Sequence, residues 1–186
     1  VVILTKCILT LQLSSPIAIL EYFIIFETNK SLRMKKKLQF TIAIQAPAAT
    51  VYENMLGLND IANYEQWTAF FNPTSTYEGT WEEGTKMFFI GVDSKGQKGG
   101  IVSRIAENRR NEYVSIHHLG LFQAGVEITE GPEVEKWANG FENYSFNENN
   151  GTTTVSVDLD VPTDFEAYMN ETYPKALAKL KEMCEG

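Results

Sequence analysis

Leu38, Phe40, Ile42 and Ile44 alternate with Gln39, Thr41, Ala43 and Gln45, the period-two pattern of a strand with one buried face. Pro47 suits the opening turn of a helix that follows at once, with Val51, Tyr52 and Met55 at helical spacing and Gly57 to end it. Asn59 or Asp60 can cap a second short helix running to about Gln66. From Thr74 to Val161 the pattern becomes about six short strands, separated by turn signals at Gly79, Glu83-Gly84, Ser94 to Gly100, Glu107 to Asn111 and Asn149-Asn150-Gly151. Asn150-Gly151 is the strongest of these, because both central positions of a type I′ turn need positive φ. It predicts antiparallel pairing of 142–147 with 152–161.

The last element reads as one long amphipathic helix. Thr163 followed by Glu166 forms a capping box, and Phe165, Tyr168, Met169, Thr172, Ala176, Leu177, Leu180 and Cys184 make an apolar stripe opposite Lys175, Lys179, Lys181 and Glu182. Pro174 removes one helical hydrogen bond and predicts a kink. Antiparallel strands with helices segregated to the ends give an α+β fold: a curved sheet of about six to seven strands wrapped around the terminal helix, with two short helices after strand one. The space between such a sheet and helix is a favoured ligand site.

The first 33 residues differ in character. Val1–Leu13 and Pro16–Phe26 are apolar, broken by Lys6, Ser14, Ser15 and Glu21, and neither reaches the ~18 to 20 uninterrupted residues of a bilayer span. Basic residues follow the apolar stretch instead of preceding it, unlike a secretory signal. The expectation is a non-domain extension over 1–33, upstream translated sequence with Met34 as the true start, and one domain over 34–186. A membrane anchor with its positive side in the cytoplasm is the alternative.

A formal charge of −8 works against a phosphate-tracking groove, so no nucleic-acid partner is expected. Two cysteines, Cys7 and Cys184, give no disulfide framework and fit a reducing, cytoplasmic compartment.

Few residues suggest chemistry. His117 and His118 are neighbours on a strand and point to opposite faces, so they cannot chelate one metal together. His118 shares parity with Val114 and Ile116, the expected inward face, where it is either a base or ligand donor or simply a satisfied histidine at a cavity wall. Glu142 shares a face with Tyr144 and Phe146; it is either a polar anchor whose burial would raise its pKa or a carboxylate at the wet end of its strand. Cys184 reads as packing. Gly96 to Gly100 lacks phosphate-loop spacing and reads as a hairpin turn. Glu127, Glu130, Glu133 and Glu135 form an acidic loop, solvated or facing a basic partner. The Asn-X-Ser/Thr matches at Asn143, Asn150 and Asn170 fall in predicted strand, turn and helix and are expected to be chance. No triad, metal cluster or cofactor motif is evident, so neither a cofactor nor a metal is expected.

Phe40 to Pro47 with Val51-Tyr52, Trp67 to Phe71, Trp81 to Gly84, Gly99 to Val102, Ser115 to Gly120, Trp137 with Glu142 to Tyr144, and the helix over Tyr168 to Leu180 together resemble the helix-grip superfamily of START domains, birch pollen allergens, polyketide cyclases and heat-shock ATPase activators (SRPBCC). The nearest likeness is to the small single-domain, activator-like subgroup. The resemblance covers residue 34 to the end and implies fold more than activity, since this scaffold hosts carriers, enzymes and co-chaperones. The leading expectation is non-catalytic binding of a small apolar molecule, lined by Trp67, Phe88, Ile116, His118, Trp137, Glu142, Tyr144, Tyr168 and Met169, in a monomer or weak dimer. A chaperone-interacting module and a cyclase-type enzyme using Glu142 or His118 are the alternatives.

Overall fold

The computed structural model describes residues 35–186; the apolar N-terminal segment and Met34 lie outside the described residues. β1 (Lys35–Ile44) is followed by α1 (Ala48–Leu56) and α2 (Ile61–Thr68), then β2 (Thr76–Glu78), β3 (Lys86–Val92), β4 (Lys98–Arg109), β5 (Tyr113–Gln123) and β6 (Val126–Ile128). A short helix α3 (Pro132–Trp137), β7 (Phe141–Asn149), β8 (Thr152–Pro162) and the terminal helix α4 (Glu166–Glu185) complete the chain. The strands form one antiparallel sheet in the order β1-β8-β7-β5-β4-β3-β2, with β6 added to β5. The fold is α+β, with eight strands where about six to seven were expected. The three-residue strands β2 and β6 are too short to carry a periodic signal.

Local chemistry places most boundaries. Asp60 caps α2 by accepting from the Ala62 amide at 3.0 Å, and Gly57 closes α1 in the left-handed region at φ 65°. Asn150 (φ 50°) and Gly151 (φ 76°) make the predicted tight turn, and Asn149 pairs with Thr152 across it.

Three expectations need correction. The Gly96–Gly100 turn is shorter: Asp93 accepts from the Lys95 and Gln97 amides, and Gly99 and Gly100 already belong to β4. A Cβ at Gly100 would sit 1.9 Å from the Phe89 carbonyl oxygen, so the residue is needed for close approach of two strands. The acidic segment is not all loop, because Pro132 opens α3 and Glu133 pairs with Lys136 within it. The terminal helix starts later than the predicted capping box places it: a 3-10 turn covers Thr163–Phe165, α4 begins at Glu166, and the Glu166 carboxylate pairs with Lys36.

The core lies between the concave face and the helices. Ala176, Leu177 and Leu180 of α4 meet Val51, Met55 and Leu56 of α1 and the β-branched row Val155, Val157 and Val161 of β8, all buried. At its other end α4 loosens, with Phe165 37% and Tyr168 42% exposed. One end of the grip is therefore dry and closed, and the other is open.

Two irregularities re-aim the middle strands. Val102 pairs with Gly120 but Ser103 with His118, leaving Leu119 extra; Ile105 pairs with Ile116 but Glu107 with Ser115, leaving Ala106 extra. Each bulge reverses parity along its strand and bends it, curving the sheet toward α4.

Candidate functional site

At the open end lies a cleft of about 850 Å³, floored by Phe89, Ile101 and Leu121, which stand side by side across β3, β4 and β5. Phe71 and Ser75, after α2, form one wall, and Pro132 and Val134 of α3 form another. Asp93, Lys98 and Glu130 also border the cleft.

Behind the cleft wall is a polar nest on the concave face. Tyr144 donates to Glu142 Oε1 at 2.6 Å, and Tyr173, from α4, donates to the same oxygen. His118 Nε2 lies 3.9 Å from Glu142 Oε2, and its Nδ1 is 2.9 Å from the hydroxyl of Ser103. Phe71 joins the two layers: it lines the cleft and packs edge-on against Tyr173, ring centroids 4.9 Å apart. Ser75, also at the cleft, hydrogen-bonds Tyr64, which tilts against Phe89.

The electrostatics of the nest follow from exclusion of water. Burial pushes Glu142 above the usual carboxylate range, opposed by the hydrogen bonds from Tyr144 and Tyr173. Burial, helped by His117 and Lys35 and opposed by Asp160, holds His118 down to about 4, so its imidazole is neutral near pH 7. Burial and the Glu142 charge raise Tyr144 and Tyr173 well above the ordinary phenol value, which keeps both as donors. Glu142 still keeps 19% of its side-chain surface open.

The sequence-predicted residues fall into three places. His118, Glu142 and Tyr144 meet in the nest; Ile116 is buried beside them on β5 and pairs with Glu142 across the strands. Trp67 is fully buried, its indole N–H donating to the Met55 carbonyl at 2.9 Å, and Met169 packs against the core. Trp137 and Tyr168 stand at the open end, each near Phe165, and the Tyr168 hydroxyl donates to the Phe71 carbonyl at 2.7 Å. Phe88 lies on the face of β3 opposite Met87 and Phe89 and packs on Phe122, ring centroids 5.4 Å apart. None of the nine borders the 850 Å³ cleft. His117 stacks on Phe141, away from His118.

Sequence reasoning missed Tyr173, Ser103 and Phe71 as members of the site. Tyr173 had a signal: it lies four residues after Met169 and four before Leu177, on the same helical stripe. Ser103 had none, since only the β4–β5 register brings it to His118. Among the described residues, no group of three or more His, Cys, Asp or Glu side chains stands where it could hold a metal ion, and no helix is long and apolar enough to cross a membrane.

With this geometry in view, similarity to known proteins is confined to folds. No protein-family model and no curated protein sequence matches the chain. Protein CV1439 from Chromobacterium violaceum is similar in structure, with a TM-score of 0.58, 16% identity, and coverage of 81% of this chain and 97% of that one. The Aha1 dimer from Colwellia psychrerythraea gives 0.56 and 17% identity over 81% of this chain and 96% of that one. DynU16, a protein of the dynemicin biosynthetic locus, gives 0.54 and 11% identity over 78% of this chain and 46% of that one. At these identities the likeness defines the class of architecture, a sheet gripping a terminal helix, and carries no activity with it.

Proposed function

We propose that this chain is a cytoplasmic member of the helix-grip superfamily, its domain running from residue 34 to the end, and that it binds a small apolar molecule without chemical turnover. The observation that carries this is the cleft at the open end of the grip: about 850 Å³ over an aromatic and aliphatic floor, large enough for a compact organic ligand. A second, smaller cleft of about 550 Å³ lies beside Tyr52, Leu58 and Trp81, and its border of Glu53, Glu82, Glu83 and Arg110 suits an apolar ligand less well. Trp137 and Tyr168, expected as lining, pack against Phe165 and lie outside the lining of the cleft.

Native mass spectrometry of the purified chain, before and after incubation with fatty acids, sterols and aromatic polyketides, tests the reading. A bound mass is expected that is lost in Ile101→Gln and Leu121→Gln, which place amides on the cleft floor. A protein that stays empty with the whole panel overturns it.

Exposed aromatic surface supports a second reading, a contact module for a chaperone, in keeping with the likeness to Aha1. Phe165 and Tyr168, which meet edge-on at the open end, are 37% and 42% exposed, and Phe70, in the segment after α2, is 48% exposed. Addition of the purified chain to a heat-shock ATPase, with Phe165→Ser and Tyr168→Ser as controls, separates the two: rate stimulation abolished by those substitutions supports a protein partner.

A further inference from the structure

We infer that the gap between Glu142 and His118 is the seat for a single hydroxyl group, so that the apolar ligand of the cleft is an alcohol or phenol and not a carboxylic acid. This rests on the carrier reading above and adds the chemical class.

The hydroxyl of Ser103 fixes the proton on His118. Ser103 is fully buried, and its one hydrogen-bond partner among the described residues is His118 Nδ1 at 2.9 Å. If Nδ1 carried the proton it would donate to Ser103, leaving the hydrogen of this fully buried hydroxyl without an acceptor among the described residues. Full satisfaction therefore puts the serine hydrogen on Nδ1 and the imidazole proton on Nε2.

Nε2–H then faces Glu142 Oε2 at 3.9 Å, too far for a hydrogen bond between them. Glu142 Oε1 is already served by Tyr144 and Tyr173, so among the described residues Oε2 and Nε2–H are an acceptor and a donor with no bond to each other. An oxygen about 2.8 Å from both closes a triangle on that base, with an angle of about 90° at the oxygen. A hydroxyl matches it: it donates to Oε2 and accepts from Nε2–H. A water molecule fits the same way, and a ligand hydroxyl can replace it one for one. A ketone offers only an acceptor and leaves Oε2 unmatched. A carboxylate sets a second anion against Glu142 in a poorly solvated space. The seat and the cleft are separated by the ring of Phe71, which lines the cleft, and that of Tyr173, which packs on Phe71 and donates to Glu142 Oε1, so a ligand in the cleft reaches the seat when these rings turn aside.

Isothermal titration calorimetry of the purified chain at pH 7.5 with 1-decanol, 2-decanone and decanoate tests the assignment. Decanol is expected to bind at least about ten-fold more tightly than decanoate, the scale of one good hydrogen bond plus relief of like charge. Glu142→Gln keeps a hydrogen-bonding amide but removes the anion, so it should close that gap to about two-fold or less. Equal affinity for alcohol and acid, unchanged by Glu142→Gln, overturns the seat while leaving the cleft as a binding site. No binding of any of the three overturns the carrier reading itself. Imidazole nitrogen NMR on the unsubstituted chain gives a second, mutation-free measurement. The Nε2–H tautomer at His118, with a resonance that moves on adding decanol while His117 stays fixed, supports the seat; the Nδ1–H tautomer overturns it.

Discussion

Tyr173, partway along α4, donates its hydroxyl to Oε1 of Glu142 on β7, so one hydrogen bond ties the terminal helix to the concave face of the sheet. The ring is held independently: it stacks on Phe40 with centroids 4.8 Å apart and planes 9° off parallel, and it meets Phe71 edge-on. Tyr173→Phe therefore removes the hydroxyl and little packing. The carboxylate loses one of two phenol donors where water is scarce, at a cost of about 1.5 to 3 kcal/mol. Urea unfolding should show the midpoint falling with the m-value unchanged.

How much of this was legible in the sequence depends on how local the cause is. The Asp60 cap, the left-handed Gly57 and the Asn150-Gly151 turn are decided within a few residues, and each is where the local pattern placed it. The facing of β4 and β5 was not legible, because the extra residues Leu119 and Ala106 follow from how two strands register and not from either strand's own alternation. The helix stripe was drawn through Phe165 and Tyr168, which are exposed because that end of α4 stands at the open end of the grip; Tyr173 is the aromatic that the stripe buries. Of the nest, Glu142, Tyr144 and His118 were visible from strand parity, while their meeting with Ser103 and Tyr173 depends on contacts distant in sequence.

Stability should rise with pH between about 4 and 6.5 because of His118. Folded His118 stays neutral down to about 4, whereas the unfolded histidine takes up a proton below its ordinary value of 6.5. In that window the unfolded state binds more protons, so folding weakens as pH falls, by about 3 kcal/mol across the whole interval. Lys35, His117, Asp160 and Glu142 face or influence the ring. Glu142 acts in the opposite sense: its raised folded value makes its contribution weaken as pH rises through the ordinary carboxylate value. His118→Asn should flatten the rise in unfolding free energy measured from pH 4 to 6.5, and an unchanged slope would show that other groups carry it.

Gly100→Ala should be the most damaging small substitution near the cleft. The added methyl would meet the Phe89 carbonyl oxygen at 1.9 Å, and a backbone atom in a strand pair cannot turn aside as a side chain can. The strands must separate or shift, for a loss of about 3 kcal/mol or more, at the upper end for overpacking. Gly99, next in the chain, has its nearest such neighbour at 3.5 Å and should accept alanine with less than about 1 kcal/mol of loss. Thermal unfolding of the two variants side by side isolates the close approach from a general preference against glycine in strands.

Tyr168 offers the opposite case, a local effect with little global cost. Its side chain is substantially exposed, and its hydroxyl reaches across the open end of the grip to the Phe71 carbonyl at 2.7 Å, fastening the segment after α2 to the first turns of α4. In water-accessible surroundings the lost bond is replaced by solvent, so Tyr168→Phe should change global unfolding by no more than about 1 kcal/mol. The segment it fastens is held otherwise by two short-range bonds, Phe71 to Thr68 at 2.9 Å and Ser75 to Asn72 at 2.8 Å, and by two to Val92 on β3, where Asn72 donates to the carbonyl at 3.2 Å and Thr74 accepts from the amide at 2.7 Å. Local opening there should therefore become easier while the core is untouched. Amide hydrogen exchange is expected to speed up at Phe71 and Ser75 in the variant and to stay unchanged at Val155 and Val157 on β8. Because Phe71 stands between the cleft and Tyr173, the same variant should release a bound decanol faster without losing the preference for alcohol over acid, which separates access to the site from recognition within it.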